Sequence, residues 1–149
     1  MAFKIYSTDD NRVPGIEYLP ASAITPKVGM ALTQTTGQLA LATGATAPTY
    51  ISMCEKDGEC TAGDIIPVIR VGKDMILETT FAADATSIKL GDKVTLHTDG
   101  LQVTATTTNG VAEEVYTDDL QVTATTTHGV AEVVYMDGTA SGSMCRVRF

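Results

Sequence analysis

The chain has 149 residues, which is enough for one domain with a buried core. Hydrophobic residues make up 44% of the sequence, a share that argues against intrinsic disorder. The net charge is −8, and ten Lys and Arg spread thinly along the chain form no basic face for phosphate groups. We therefore expect no nucleic-acid partner and, for the same reason, no membrane partner.

The composition favours short strands rather than helices. Most apolar residues are small or β-branched, Thr and Gly are frequent, and the sequence contains no Trp. No segment shows helical periodicity over ten residues. We predict an all-β protein with a single compact domain, barrel-like or sandwich-like, and an extended N-terminal arm.

Residues 1–28 differ from the rest of the chain and are predicted to form this arm. Pro14, Pro20 and Pro26 are too closely spaced for a helix, and they lack the backbone donors that a central strand needs. Two short apolar clusters lie between polar turns: Phe3, Ile5 and Tyr6, and then Ile16, Tyr18 and Leu19. Such an arm packs either on its own domain or on a neighbouring molecule, and the sequence leaves both possibilities open.

Residues 29–149 read as strands separated by turns and are predicted to form the β domain. The predicted strands cover 30–34, 38–42, 49–54, 65–71, 75–81, 87–90, 93–98, 101–106 and 143–149. The run 65–71 suits a strand that is buried on both faces, with Pro67 at a bulge or on an edge. Thr35-Thr36-Gly37 is a hairpin signal between the first two of these strands, and Asp99-Gly100 is a strong signal for a two-residue hairpin turn. In the last strand, Cys145, Val147 and Phe149 alternate with Met144, Arg146 and Arg148.

The three cysteines are expected to remain free thiols. The N-terminus lacks the apolar segment of a signal peptide, and no apolar run approaches the roughly 20 residues of a membrane span. We therefore expect the chain to mature in a cytoplasm, where thiols stay reduced. Cys54 and Cys60 flank a short acidic turn, so a disulfide between them is the alternative. Cys145 is predicted to be a small buried residue of the last strand.

A tandem repeat of nineteen residues is the most informative feature of the sequence. Residues 99–117 recur as residues 118–136, and only four positions differ between the copies. The differing pairs are Gly100/Asp119, Asn109/His128, Glu114/Val133 and Thr117/Met136. Two copies do not make a solenoid, which needs three or more repeats. Identity this high indicates a recent or an engineered tandem duplication of a β segment.

The differences between the copies indicate which halves kept the original strand positions. Gly100 suits a tight turn that needs a positive φ. Glu114, in contrast, replaces a Val on an apolar strand face, where an unpaired carboxylate is costly. We predict that 101–105 and 130–136 hold the original strands and that residues about 107–127 form an added surface hairpin or loop. Alternatively, both copies join the sheet and lengthen it by two strands.

The sequence offers no set of residues for a catalytic, metal or cofactor site. His97 precedes a turn and reads as an exposed strand residue, and His128 replaces an Asn of the other copy. The acidic segments 9–11 and 55–59 do not match the ligand pattern of a calcium loop. The cysteines and histidines lack the spacing of a zinc site. We therefore expect a protein that is not an enzyme and that needs no cofactor and no metal.

Loose turn signatures recur through the whole chain in a recognisable order. After the Pro-punctuated arm come VGMAL at 28–32, GQLA at 37–40, APTYI at 47–51, AGD at 62–64, IPV at 66–68, LGDKV at 90–94, Gly142 and RVRF at 146–149. With one repeat copy set aside, this order resembles small structural proteins encoded in head-gene clusters of tailed bacteriophages. These include capsid decoration proteins such as the head-stabilising protein of lambda-like phages.

The resemblance implies a β-rich domain that binds the outside of the assembled capsid, typically as a homotrimer, and stabilises it. Its partner would be the major capsid protein, and its location the virion surface after assembly in the bacterial cytoplasm. Because the family contacts the coat partly through an N-terminal arm, the resemblance assigns partner contacts to Phe3, Ile5, Tyr6, Ile16 and Tyr18. Strand addition to a sheet edge of the coat protein is one mode for such a contact.

Two other classes of function stay open. A different virion component, such as a fibre or tail-tube subunit, predicts rings, tubes or elongated particles from the protein alone. A small hydrolase or sugar-binding domain requires a concave pocket where polar groups converge.

Overall fold

The computed structural model describes residues 2–8, 12, 14–73, 75–105, 116–117, 120–121 and 129–149. Regular structure within these ranges consists of β-strands. They are β1 (Lys4–Ser7), β2 (Ile16–Pro20), β3 (Ala31–Thr35), β4 (Gln38–Leu41), β5 (Tyr50–Ser52), β6 (Ile65–Arg70), β7 (Ile76–Thr80), β8 (Lys93–Leu96), β9 (Val103–Thr104), β10 (Tyr116–Thr117), β11 (Leu120–Gln121), β12 (Ala131–Met136) and β13 (Met144–Arg148). No helix in the described ranges is long and apolar enough to cross a membrane.

The strands form two main antiparallel sheets, which confirms the predicted all-β class. One sheet has six strands in the order β1-β7-β13-β12-β8-β9, and the other has five in the order β2-β6-β5-β3-β4. The two strands from the predicted arm, β1 and β2, lie at one edge of each sheet, where they pair with β7 and β6. These strands of the N-terminal segment are therefore part of the sheets of their own domain.

The five-stranded sheet separates two apolar clusters because side chains alternate between the faces of a strand. Ala31, Ile51 and Ile69 face the six-stranded sheet and belong to the same cluster as its Leu77 and Val147, which we term the inter-sheet core. The opposite face carries a second cluster, formed by Ala21, Met30, Leu32, Leu39, Tyr50, Cys60, Ile66 and Val68. A bridge from Ala21, just after β2, to Leu39 on β4 shows that this sheet curls around the second cluster.

Two local predictions are confirmed, the first with strand bounds that shift by one residue. The predicted hairpin at 30–42 is the pair β3 and β4, joined by Thr36 and Gly37 at φ of 51° and 82°. Two successive residues at positive φ are what a type I′ turn requires. In β13, Cys145 and Val147 are fully buried and alternate with more exposed side chains, as the period of two predicted.

The strand predicted at 87–90 is wrong, because this segment consists of turns between β7 and β8. Ile88 is buried, but its backbone N–H donates to the carbonyl of Ala85 within a turn rather than to a neighbouring strand. The N–H of Gly91 then donates to the carbonyl of Val133 on β12. A single buried residue among turn residues thus has the sequence pattern of a short strand.

Pro67 lies in an inner strand, not at a bulge or on an edge as the sequence predicted. Its carbonyl accepts a hydrogen bond from the N–H of Met53, one residue beyond the end of β5. The backbone N and O of one residue point to the same neighbouring strand, so the missing N–H of Pro67 also faces Met53. The proline is tolerated because the β5–β6 ladder ends at this position.

The β8–β9 hairpin has a longer tip than the two-residue turn predicted from Asp99-Gly100. Leu96 pairs with Val103, and the N–H of His97 donates to the carbonyl of Gln102, so residues 98–101 form the tip. Gly100 has a φ of 67°, which confirms the predicted need for a positive φ. Its carbonyl accepts a hydrogen bond of 2.7 Å from the N–H of Ala31, which ties the tip to the other sheet.

Each copy of the repeat contributes one strand to the six-stranded sheet. β9 comes from the first copy and β12 from the second, and they flank β8 on its two sides. The extra hairpin or loop predicted at about 107–127 falls mostly outside the described residues. Within that range, the described strands β10 and β11 pair with each other.

We expect the domain to fold with a single copy of the repeat. Thr104 pairs with Thr95, and Ala131 pairs with the adjacent Val94, so β9 ends close to where β12 begins, across β8. At normal strand spacing these ends are about 10 Å apart. Residues 105–130 link β9 to β12, and deleting residues 109–127 leaves seven of these twenty-six residues. Seven residues extend to about 23 Å, which is more than enough.

The shorter link should raise the free energy of unfolding by about 1 kcal/mol, because a shorter loop loses less entropy on closure. Urea denaturation of the deletion variant beside the full chain measures this difference. A deletion variant that fails to fold would show that the sheet needs both copies.

Candidate docking surface

Phe3, the first of the predicted partner contacts, is buried in the inter-sheet core. Only 3% of its surface is exposed, and its ring meets Phe149 edge-on with the centroids 5.8 Å apart. Its backbone N–H donates to the carbonyl of Gly29. In this structure the side chain of Phe3 therefore stabilises its own domain and presents no surface to a partner.

Ile5 and Tyr6 lie on β1, at the edge of the six-stranded sheet. The ring of Tyr6 stacks on the guanidinium of Arg146, whose Cζ lies 3.5 Å from the ring centroid. Tyr135 approaches the same guanidinium at 4.5 Å, and the Nε of Arg146 donates to Glu78 at 3.2 Å. Tyr6 thus already has a cation–π partner within the chain, although half of its surface is exposed.

Ile16 and Tyr18 belong to a larger apolar patch on the five-stranded sheet. Directly paired residues of an antiparallel sheet have their side chains on the same face. Tyr18 pairs with Pro67, and Met53 lies opposite Pro67 on its other side, where the backbone hydrogen bond joins them. The side chains of these three residues therefore form a row across the sheet.

Two isoleucines extend this row because residues two apart on a strand share a face. Ile16 precedes Tyr18 by two positions, and Ile65 precedes Pro67 by two. We define the β2–β6 patch as Ile16, Tyr18, Met53, Ile65 and Pro67. The exposed fractions are 54% for Ile16, 68% for Tyr18, 40% for Met53 and 59% for Ile65, and Pro67 is half-buried.

The patch is the part of a core-forming face that the six-stranded sheet does not cover. Ile69 pairs with Ile16 and shares its face, yet Ile69 is buried in the inter-sheet core whereas Ile16 is exposed. The cover provided by the other sheet therefore ends between β6 and β2. Contiguous exposed apolar patches of this kind mark interaction sites on soluble proteins.

Part of the backbone of β2 does not face β6. Tyr18 and Pro67 form a pair without hydrogen bonds between them, because the N and O of Pro67 face Met53. The N–H and C=O of Tyr18 therefore point away from β6, toward the side on which Ala21, three residues farther along, bridges to Leu39 of β4. An edge strand with free backbone groups and apolar side chains can pair with an extended segment of a partner.

The other face of β2 is closed by an ion pair within the chain. The Nε and Nη2 of Arg70 donate to the two carboxylate oxygens of Glu17 at 3.0 and 3.1 Å. The same guanidinium lies 4.9 Å from the ring centroid of Tyr50. The exposed apolar face is therefore the side of β2 that a partner can contact.

Sequence reasoning missed Met53 and Ile65 as members of this surface. The run 65–71 predicts a strand buried on both faces, whereas the structure buries Ile66 and Val68 and exposes Ile65. All these residues are apolar, so no periodicity in the sequence separates the two faces. Only the position of β6 beside an edge strand, outside the cover of the other sheet, exposes one of them.

A shallow cavity of about 390 Å³ lies between residues 23–30 and the tip of the β8–β9 hairpin. Apolar side chains such as Ile24 and Met30 line it together with the charged residues Lys27, Glu59 and Asp99. Asp99 accepts a hydrogen bond of 2.8 Å from the N–H of Leu101 and lies 3.1 Å from the Nδ1 of His97. Burial alone would raise the pKa of Asp99, but these contacts outweigh it and hold the pKa below its ordinary value. The carboxylate therefore serves to hold the hairpin tip.

The cysteines are free thiols, and two of them are buried. Cys145 lies fully buried in β13, as predicted, and burial raises its pKa to about 12. Burial likewise raises the pKa of Cys60 above its ordinary value. Both thiols therefore stay protonated at neutral pH and act as small apolar groups. Among the described residues, no three His, Cys, Asp or Glu side chains are grouped so that they could hold a metal ion.

Comparison with known proteins adds no relative to these observations. No protein-family model matches the chain, and no curated protein matches it.

Proposed function

We propose that this protein is a structural component of a tailed bacteriophage particle, a decoration protein that binds the outside of the assembled capsid and stabilises it. The observation that carries the proposal is the β2–β6 patch, an exposed apolar surface on a protein with a net charge of −8. The proposed partner is the major capsid protein, and the proposed role involves no catalysis, cofactor or metal. The resemblance described for the sequence supports the choice of a capsid as the assembly.

The energetics of the patch suit binding to a repetitive shell. Burying one large apolar side chain contributes about 1.5–3 kcal/mol, and association then costs several kcal/mol of lost freedom. One copy of the patch thus gives a modest affinity. A homotrimer, the oligomer that the resemblance implies, engages several identical sites at once and multiplies this affinity. A net charge of −8 keeps decorated particles apart in solution.

The test is co-sedimentation with expanded capsids that lack a decoration protein. The wild-type chain should bind in a fixed ratio to the coat subunits. Tyr18→Ser combined with Ile65→Ser should weaken binding about a hundredfold, because removing two buried side chains costs about 3 kcal/mol. Both residues are exposed, so the variant should keep the melting temperature of the wild type.

A matched control shows whether binding depends on the patch itself or on any exposed apolar side chain. Leu90 is 62% exposed and lies in a turn before β8, outside the patch, so Leu90→Ser should bind as the wild type does. Failure of the wild-type chain to sediment with any capsid form contradicts the proposal. Rings, tubes or elongated particles formed by the protein alone, seen by negative-stain microscopy, would favour a fibre or tail-tube subunit instead.

A further inference from the structure

The tandem repeat supplies two versions of the same strands, and the six-stranded sheet takes one strand from each copy. β9 lies in the first half of copy one, and β12 lies in the second half of copy two. The other halves contain 120–124, equivalent in sequence to the β9 region, and 112–117, equivalent to β12. The structure shows why these halves are not interchangeable.

The hairpin tip requires the glycine that only the first copy has, Gly100. This residue is buried with a φ of 67°, and a Cβ placed on it would lie 2.5 Å from the Cδ1 of Leu41. The same Cβ would lie 3.3 Å from the carbonyl oxygen of Ala31. The second copy has Asp119 at this position, and its carboxylate would be forced against an apolar side chain and a carbonyl oxygen.

β12 requires the two apolar residues that only the second copy has, Val133 and Met136. Val133 is fully buried in the inter-sheet core, where it pairs with Val147 on β13. Met136 packs against the same core and pairs with Cys145. The first copy has Glu114 and Thr117 at these positions, and an unpaired carboxylate in this core is strongly unfavourable.

We infer that Gly100, Val133 and Met136 are a register lock: they select one of several arrangements that the duplicated sequence would otherwise allow. Three of the four differences between the copies fall at these positions, and at each one the half in use carries the residue that fits. A chain that carries Val and Met at 114 and 117 as well as at 133 and 136 can build β12 from either 112–117 or 131–136.

The second arrangement has a link of sufficient length. Seven residues, 105–111, would join β9 to a strand beginning at residue 112, the same length of link as in the single-copy deletion described above. The displaced nineteen residues would then leave the sheet at the β12–β13 turn.

The test is peptide-resolved hydrogen exchange on the full chain carrying Glu114→Val and Thr117→Met. In the wild type, the amides of 131–136 should exchange about a hundredfold more slowly than those of 112–117. In the double variant, both segments should share the protection and show bimodal exchange. Asn109→His also removes a difference between the copies, but it does not touch the lock, so it should keep the wild-type pattern.

A rescue variant keeps the test decisive if the double variant aggregates. Val133→Glu added to Glu114→Val and Thr117→Met leaves only the first copy fit for β12. This triple variant should fold with 112–117 protected and 131–136 exposed, whereas Val133→Glu alone should lose protection throughout the six-stranded sheet. Full protection confined to 131–136 in the double variant, or no rescue in the triple variant, would overturn the inference.

Discussion

Replacing Val133 by Glu is expected to lower the free energy of unfolding by about 5 kcal/mol or more, which is most of the stability of a typical domain. Val133 is fully buried in the middle of the inter-sheet core, between β8 and β13. The substitution removes an apolar contact and places a carboxylate where no cation among the described core residues can pair with it. Chemical denaturation followed by circular dichroism measures the loss.

Two controls separate the charge from the change in volume. Val133→Ala removes the same contact without a charge and should cost only about 2 kcal/mol. Glu114→Val makes the reverse change at the equivalent position of the other copy and should not destabilise the domain. A Val133→Glu chain as stable as Val133→Ala would show that the carboxylate reaches solvent from this site.

Replacing Gly100 by Asp is expected to cost about 3 kcal/mol of unfolding free energy. The hairpin tip at Gly100 is a joint between the sheets, because its carbonyl accepts the N–H of Ala31 on β3. An aspartate at this buried position must adopt a positive φ and push the side chain of Leu41 aside. Its carboxylate also lies close to the carbonyl oxygen of Ala31, where like partial charges repel.

Thermal denaturation beside Gly100→Ala distinguishes these causes. The alanine variant carries the backbone strain and the added Cβ but no charge, so it should lose only about 1–2 kcal/mol. The remaining difference measures the cost of the carboxylate. Equal stability of the aspartate variant and the wild type would show that the tip does not need glycine, and it would remove one element of the register lock.

About half of the candidate docking surface could be predicted from the sequence. Ile16 and Tyr18 stand out as apolar residues between prolines, a composition that indicates an edge or arm. Met53 and Ile65 carry no such signal, because each lies in a stretch that reads as an ordinary buried strand. They join the patch through the pairing of β2, β6 and β5, which brings together residues far apart along the chain.

Phe3 is a residue whose burial could not be predicted from the sequence pattern. Its setting in the N-terminal segment resembles that of Ile16, yet Phe3 packs on Phe149 at the other end of the chain. Whether an apolar residue of the arm faces a partner or its own core depends on what lies across from it. The sequence near Phe3 contains no information about that opposite surface.

The features that depend on neighbours along the chain could be predicted from the sequence alone. These are the all-β class, the hairpin between β3 and β4, and the alternation of buried residues in β13. Which side of each apolar strand is covered depends instead on tertiary contacts. That outcome depends on how far the six-stranded sheet extends over the five-stranded one, and the pairing of distant strands sets this extent. The burial of Ile69 and the exposure of Ile16, paired on one face, follow from where that cover ends.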